Sequence, residues 1–432
     1  MKKPMLLALV LVLLISGIAL GQGTVEDVQF FSESLGELRW VQVYLPRGYS
    51  LDRGPKYPVI YFLHGIRGDH TSCPFLIDIL DELIGNGTIE PVVVVKPDAS
   101  CVPYNASFYT NSELNGAFED YIVQDVREFV KRNYRIIPGR KKRSIMGHSM
   151  GGYGAMKLAL KYPDIYTALA SHSGPLEFNV LLMVALPYLL MEYPEGPPYY
   201  WAPYRGPFSG LSFSMAAAFS PNLTNPPFFV DFPLDEYANV RPSVFGRWLL
   251  HNPPKFATEL PPDAELSIYF DCGMMDELGC YPQNLVFAGV LDQLGIPYEF
   301  ESFMGGHADQ LPVRIPIALE FLDNIMNPYT RGGGGKQLAH EESATRALIL
   351  CQNAPNPFAR ETSIRFTLPT SGHARLTIYD SAGRSVERIL DGKLSAGTHA
   401  VTWERNSVPS GTYFYRLTSD GNVLTKKMVV AR

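Results

Sequence analysis

A serine hydroxyl becomes a nucleophile only when it is held beside a base, and the run Gly147-His148-Ser149-Met150-Gly151-Gly152-Tyr153-Gly154 could hold one. It lies between an apolar stretch that reads as a strand, Arg143 to Met146, and a helix-period stretch from Gly152 to Tyr162. A sharp strand-to-helix turn there would strain Ser149 and present its Oγ, with the flanking glycines relieving the steric conflict. The helix N-terminus would face a developing oxyanion, and the Met150 N–H would be one donor to it. The chemistry implied is acyl transfer through serine; the plainer alternative is a structural turn serine.

The other members of such a site should follow in chain order, acid and then base. Nine histidines compete for the base. His307, in Phe303-Met304-Gly305-Gly306-His307, follows the last strand expected in the main domain and is released into a loop by two glycines. His340 falls in a linker, His373 and His399 in the C-terminal region, and His172 and His251 read as core or pocket wall. The orienting carboxylate should follow the preceding strand, where Asp271-Cys272-Gly273-Met274-Met275-Asp276-Glu277 puts Asp276 beyond a glycine turn. Glu277 is its rival, and Asp271 reads as a structural carboxylate at the strand end. A second oxyanion donor is expected from the loop after Tyr61-Phe62-Leu63-His64-Gly65-Ile66-Arg67-Gly68, namely the Ile66 N–H, unless His64-Gly65 is a simple β-turn. Arg67, His64, His148 and Trp201 are the expected substrate contacts. Such chemistry requires no cofactor and no metal, and the cysteines lack the C-x₂-C spacing of a zinc site.

These residues need strands and helices to place them. Two stretches of alternating polarity within 25–48 read as an antiparallel pair, and unbroken apolar runs at Val59 to Leu63 and Val92 to Val95 read as strands buried on both faces. Helix-period segments such as Phe118 to Tyr134 alternate with them, and the pattern resumes later as strand Glu265 to Phe270, helix Pro282 to Leu294, strand Tyr298 to Phe303 and helix Val313 to Ile325. That is a wound α/β domain over 22–327. Residues 176–256 interrupt it with 13 Pro in 81 residues and many aromatics. The apolar segment Phe178 to Met191 within that insertion is expected to be a lid or pocket wall, or else a packed core helix.

Composition sets the outer bounds. The 432 residues are 46% hydrophobic and 19% charged, too apolar for a disordered chain. Net charge is −6, and residues 346–432 hold 12 Lys and Arg against 6 Asp and Glu, which leaves about −12 on the rest and argues against a nucleic-acid partner. Lys2 and Lys3, the apolar run Met5 to Leu14 and Ala19-Leu20-Gly21 read as a signal peptide over 1–21, the run being too short for a membrane anchor. For an exported chain the easiest cysteine pairings are Cys272 with Cys280 and Cys73 with Cys101, leaving Cys351 over. A polar, Gly-rich linker at 328–348 precedes short alternating strands at Ser363 to Leu368, Ala374 to Tyr379, Thr398 to Trp403, Gly411 to Leu417 and Lys426 to Val430, expected to form a small β-sandwich over 349–432.

Residues 28–327 resemble the esterase family of the α/β-hydrolase fold that includes feruloyl esterases, acetyl xylan esterases, S-formylglutathione hydrolases and the mycolyltransferase antigens. The resemblance rests on YFLHGIRGD, Phe108-Tyr109-Thr110-Asn111-Ser112, GHSMGGYGAM, Asp271-Cys272-Gly273 leading to Asp276, and the Gly-Gly-His at 305–307. It implies Ser149, Asp276 and His307 as a triad, with Ile66 and Met150 as oxyanion donors. The mycolyltransferases use a Glu at about the position of Glu277, and the insertion is longer than in compact members. The implied function is a secreted serine ester hydrolase acting through an acyl-enzyme on feruloyl or acetyl esters of plant polysaccharide. The alternatives are a broad carboxylesterase, an acyltransferase, or a non-catalytic surface binding protein.

Asn353-Ala354-Pro355-Asn356-Pro357-Phe358, Ile364-Arg365-Phe366 and Gly411-Thr412-Tyr413-Phe414-Tyr415 resemble the C-terminal sorting domain of the type IX secretion pathway. That tail is also similar to the immunoglobulin-like sandwich of flagellar hook-capping proteins. The resemblance implies a partner in bacterial secretion machinery and a secreted or cell-surface destination. An accessory carbohydrate-binding sandwich would instead show an exposed aromatic platform, for which Trp403 is the available Trp.

Overall fold

The unbroken apolar runs become the inner strands of a mixed sheet in a computed structural model. It describes Val12–Leu13, residues 22–328 and residues 349–431, apart from 351–352, 354–355, 357, 369–370, 381–383, 396, 406–407 and 420–421. The expected signal peptide, save Val12–Leu13, the expected linker beyond Pro328, and Cys351 lie outside the described residues. Contacts divide the chain into two compact units, Met1–Arg331 and Gly332–Arg432.

In the first unit the strands are β1 (Thr24–Ser32), β2 (Glu37–Leu45), β3 (Val59–Leu63), β4 (Val93–Pro97), β5 (Arg143–His148), β6 (Ala168–His172), β7 (Ser267–Gly273) and β8 (Glu299–Phe303). Their order across the sheet is β1-β2-β4-β3-β5-β6-β7-β8, and Val12–Leu13 pairs along the outer edge of β1. The β1–β2 hairpin meets β4 antiparallel, and every pairing from β4 through β8 is parallel. Strands β3, β4 and β6 are buried at every position, because helices cover both faces. Ile60 and Phe62 point toward helices Phe75–Gly85 and Leu311–Met326, whereas Tyr61 and Leu63 point into the larger core with Ile122, Val126 and Met156. The helix expected at Phe118 to Tyr134 runs Phe118–Asp120, a π-turn Tyr121–Val126 and Arg127–Asn133, which keeps Ile122, Val126 and Val130 buried.

The insertion is mostly helical: Phe178–Met191, Pro207–Phe219, Pro242–Leu249 and Pro253–Thr258. Its proline content is partly explained by helix starts, since Pro207, Pro242 and Pro253 each open a helix where the missing N–H costs nothing. Phe178–Met191 is capped by the Glu177 carboxylate, which accepts from the Val180 N–H at 2.8 Å. That helix buries Phe178, Leu181 and Leu189 while Met183, Tyr188 and Met191 stay exposed, so it is neither a wholly packed core helix nor free of the core.

The second unit is all-β. Ile349–Leu350, Glu361–Leu368 and Gly397–Glu404 form one antiparallel sheet; Ser385–Leu394, Gly372–Asp380, Gly411–Ser419 and Asn422–Val430 form another. Ile364, Phe366, Leu376, Ile378 and Tyr415 from the two sheets share one core. Ser385–Leu394 was not among the expected strands: none of its residues is fully buried, so it carries no alternation of polarity. Trp403 is 2% exposed and donates its indole N–H to Glu387 at 2.9 Å, which removes it as a platform for sugar. The expected cysteine pairings are also corrected, because Cys73, Cys101, Cys272 and Cys280 all carry free thiols.

The turn after β5 is where packing is tightest. A Cβ on Gly151 would lie 1.9 Å from the Leu63 carbonyl oxygen at the end of β3. Gly151→Ala should therefore cost more than about 4 kcal/mol in urea unfolding or yield no soluble protein. Gly289, in helix Cys280–Leu294, has nothing within 4 Å of the place a Cβ would occupy. Gly289→Ala should therefore gain about 0.5–1 kcal/mol in the same measurement.

Candidate active site

Ser149 sits at the end of β5 with φ 58° and ψ −120°, a conformation that side-chain-bearing residues rarely adopt. Two backbone hydrogen bonds hold it there: its N–H donates to the His172 carbonyl at 2.8 Å, and its carbonyl accepts from the Tyr153 N–H at 3.0 Å. Its Oγ stands 2.8 Å from His307 Nε2. On the far side of the ring, His307 Nδ1 stands 2.8 Å from Asp276 Oδ2. The structure thus brings Ser149, His307 and Asp276 into one hydrogen-bonded line.

Two loops make that line possible. The ends of β7 and β8 approach so closely that a Cβ on Gly273 would lie 2.3 Å from the Gly305 carbonyl oxygen. Met274 and Met275 N–H groups donate to Phe303 and Gly305 carbonyls at 2.9 and 3.0 Å, locking the two loops together. Asp276 is fully buried at its side chain and also accepts from the Leu278 and Cys280 N–H groups at 2.9 and 3.2 Å. Burial pushes its carboxyl up, but the bond and charge of His307 together with those two N–H groups outweigh it and hold the carboxyl below its ordinary value. The rival Glu277 has a separate job: its Oε2 accepts from the His307 backbone N–H at 2.9 Å.

His148, expected to touch substrate, lies with its ring 4.9 Å from that of His307 and donates from Nε2 to the His307 carbonyl at 2.9 Å. Burial, and then the neighbouring His307, pushes its imidazole down to about 3, so it stays neutral. The N–H groups of Ile66 and Met150 have no hydrogen-bond partner among the described residues. Gly65, just before Ile66, lies against Ser149, with a Cβ there only 3.4 Å from that of Ser149.

His64 departs from expectation. It is 2% exposed; its Nδ1 donates to the Gly65 carbonyl at 2.8 Å and its Nε2 accepts from the Ala99 N–H at 2.9 Å, leaving no ring nitrogen for substrate. Its carbonyl is held in turn by the Tyr109 hydroxyl at 2.8 Å, so this histidine shapes the loop that carries Ile66. Trp201 is also corrected: its indole N–H donates to the Asp235 carbonyl at 2.8 Å and its ring stacks on Tyr199 and Phe232, all within the insertion. Arg67 is exposed on the same loop as Ile66 and faces Gly210 of the insertion.

Buried charges near the site include a pair the sequence did not signal, Lys157 with Glu119, and Asp271, which is the structural strand-end carboxylate expected of it. Lys157, wholly buried in helix Met150–Lys161, pairs with Glu119 at 2.7 Å and donates to the Tyr109 carbonyl and the Thr110 hydroxyl. Burial pushes the Lys157 ammonium down to about 8, while Glu119, despite its own burial, is held at about 2 by Lys157, Lys161 and Tyr162. Asp271 joins His172 at 2.9 Å, Arg314 at 3.0 Å and the Tyr269 hydroxyl at 2.9 Å, all under the ends of β6 and β7. A lone Lys on an apolar helix face was the one legible hint. Asp276, Cys280 and His307 also place a carboxylate, a thiol and an imidazole within 4.8 Å of one another. Burial pushes the Cys280 thiol far up, and a protonated thiol is a poor metal ligand.

With this geometry in hand, comparisons with known proteins add relatives. A family model described as "Putative esterase" matches residues 32–309, and one described as a secretion system C-terminal sorting domain matches residues 354–431. An esterase of Mycobacterium tuberculosis is 32% identical over 152 residues, covering 34% of this chain and 31% of its own length. An endo-1,4-beta-xylanase/feruloyl esterase of Xylanibacter ruminicola is 29% identical over 154 residues, covering 34% of this chain and 21% of its own length. The chain thus spans about a third or less of these relatives. The solved structure of a ferulic acid esterase superposes with TM-score 0.51 at 21% identity, covering 71% of this chain and 98% of its own, which establishes a shared fold.

The Lys157–Glu119 pair lies in the helix that begins at the serine turn, and its removal should be felt as stability. Lys157→Met, which leaves Glu119 buried without its main partner, should cost about 3–5 kcal/mol in chemical unfolding. Lys161→Met, which removes a half-exposed cation from the same carboxylate, should cost no more than about 1 kcal/mol.

Proposed function

The chain belongs to the esterase family whose model it matches over residues 32–309, and from that membership and the Ser149–His307–Asp276 line we propose that it is a serine carboxylic ester hydrolase. The observation that carries the reading is the pair of 2.8 Å contacts on either side of the His307 ring. Ser149 Oγ attacks the ester carbonyl while His307 Nε2 takes its proton, and Asp276 holds Nδ1 protonated and stabilises the imidazolium. Negative charge on the carbonyl oxygen is received by the N–H groups of Ile66, in the loop after β3, and of Met150, at the N-terminus of helix Met150–Lys161. His307 then returns the proton to the departing alkoxide, leaving an acyl-enzyme. Water, activated by the same ring, completes hydrolysis.

Feruloyl or acetyl esters of plant polysaccharide are the proposed substrates, supported by the feruloyl esterase activity named for the Xylanibacter relative and by the aromatic insertion. The sorting domain over 354–431 supports delivery through bacterial secretion machinery to the cell surface or beyond, where such polymers are met.

The first test is hydrolysis by the full chain of p-nitrophenyl acetate, butyrate and octanoate, methyl ferulate and acetylated xylan. Methyl ferulate or acetylated xylan should lead, and Ser149→Ala should abolish turnover; a lead by simple alkyl esters would leave a general carboxylesterase, and turnover that survives Ser149→Ala would end the reading. Asp276→Asn should lower kcat by about 10³–10⁴, whereas Glu277→Gln, which keeps an acceptor for the His307 N–H, should lower it less than about tenfold. Because His148 is pushed to about 3, it stays neutral across the working range. His148→Gln should therefore leave the midpoint of the kcat/KM profile unmoved between about pH 5 and 9.

A further inference from the structure

Among the described residues, Met183, Met191, Met274, Met275 and Met304 are exposed, and every other methionine is buried. The exposed five lie on the loops that carry Asp276 and His307, or on helix Phe178–Met191, which packs against one of those loops. We propose that they form a rim that docks the enzyme on the surface of an undissolved, uncharged ester, so that substrate is met at an interface and not only in solution. The proposal goes beyond the esterase reading by naming the physical state of the substrate, and rests on that reading for its chemistry.

Position ties the rim to the site. Met274 and Met275 directly precede Asp276, and their N–H groups donate to the Phe303 and Gly305 carbonyls on either side of Met304. These three methionines therefore leave one locked pair of loops. Helix Phe178–Met191 rests on the same place: a Cβ on Gly279, just beyond Asp276 in the chain, would lie 2.7 Å from Val184 Cγ2. Met183 is the neighbour of Val184, and Met183, Pro187 and Met191 recur at every fourth position on one exposed face about 12 Å long. Tyr188 extends that face and stacks on Phe208 at 5.0 Å.

The rim's chemistry selects its occupant. Single exposed apolar residues are ordinary, but an apolar stripe beside a site marks a contact surface. The 14 residues of helix Phe178–Met191 include no Lys, Arg, Asp or Glu, so its outer face offers water no charge. Exposure is large there, 75% at Met183 and 74% at Met191, and 71% at Met304 on the loop of His307. Methionine is flexible and polarisable, which lets it conform to a surface of no fixed shape. An anionic bilayer is disfavoured, because residues 1–345 carry a net charge of about −12. A second copy of the chain is disfavoured too, since an isologous pair would set rim on rim and cover both sites. A neutral apolar phase meets neither objection, and the rim would hold it beside the Ser149–His307–Asp276 line.

The test reads docking apart from chemistry. The full-length Ser149→Ala chain should float with tributyrin droplets and should not float with phosphatidylglycerol vesicles. Adding Met183→Lys with Met191→Lys should weaken droplet affinity about tenfold or more, whereas Met183→Leu with Met191→Leu, which keeps the apolar surface, should retain it. Both side chains are exposed, so the melting temperature should hold in both double variants. With Ser149 intact, the hydrolysis rate should climb anew as tributyrin passes its solubility limit, and the lysine variant should show plain saturation instead. Equal flotation of the lysine variant, preference for phosphatidylglycerol, a concentration-dependent dimer that the lysine variant abolishes, or a smooth rate curve through the solubility limit would overturn the proposal. Absence of Ser149-dependent hydrolysis with flotation intact would strike the esterase reading and leave the docking surface standing.

Discussion

The site depends on a backbone contact too close to admit a side chain. Where helix Met150–Lys161 leaves β5, Gly151 presses against the Leu63 carbonyl, and a Cβ there would lie 1.9 Å from that oxygen. The contact sets the end of β3 directly beside the start of the helix. Gly65, just before Ile66, thereby lies against Ser149, with a Cβ there 3.4 Å from that of Ser149. The contact also forces the chain to turn within a single residue, which explains why Ser149 takes φ 58° and why the His172 carbonyl must anchor its N–H.

A second close approach, between Gly273 and Gly305, does for Asp276 and His307 what the first does for Ser149. Once the β7 and β8 loops are joined, two adjacent carboxylates divide the work on His307. Asp276 turns inward to the ring, where burial demands that its oxygens be fully used, and four donors use them: the His307 ring, the Leu278 and Cys280 N–H groups and the Cys272 thiol. Glu277 stays outside and holds the backbone of the same residue. The neutral His148 ties the His307 carbonyl from the other side, so His307 is fixed at its main chain as well as its ring.

Beneath these loops lies a polar layer unusual for a region so buried. The Asp271 cluster with His172, Arg314 and Tyr269 sits at the carboxyl ends of β6 and β7, and the Lys157–Glu119 pair is buried against the helix that follows Ser149. Each charge there has a partner, as burial requires. The C-terminal unit is built differently, from two antiparallel sheets around Ile364, Phe366, Leu376 and Tyr415, with Trp403 inside.

The sequence alone was enough for the α/β order, the C-terminal sheets and the three residues of the hydrogen-bonded line, because each is encoded locally. Buried strands appear as unbroken apolar runs, a strained nucleophile turn appears as clustered glycines, and chain order separates acid from base. It could not separate Asp276 from Glu277 by distance, since adjacent residues differ only in which way the loop turns them. It misjudged His64 and Trp201, whose ring nitrogens are occupied by the Gly65 carbonyl and Ala99 N–H and by the Asp235 carbonyl, partners that folding alone brings near. Cysteine spacing likewise suggested pairs that the fold leaves as thiols, because a disulfide needs a particular placement of two Cβ atoms and spacing does not supply it. The strand Ser385–Leu394 and the Lys157–Glu119 pair were decided only by tertiary structure: an edge strand has no buried face to mark it, and two residues 38 positions apart carry no trace of each other until the chain packs.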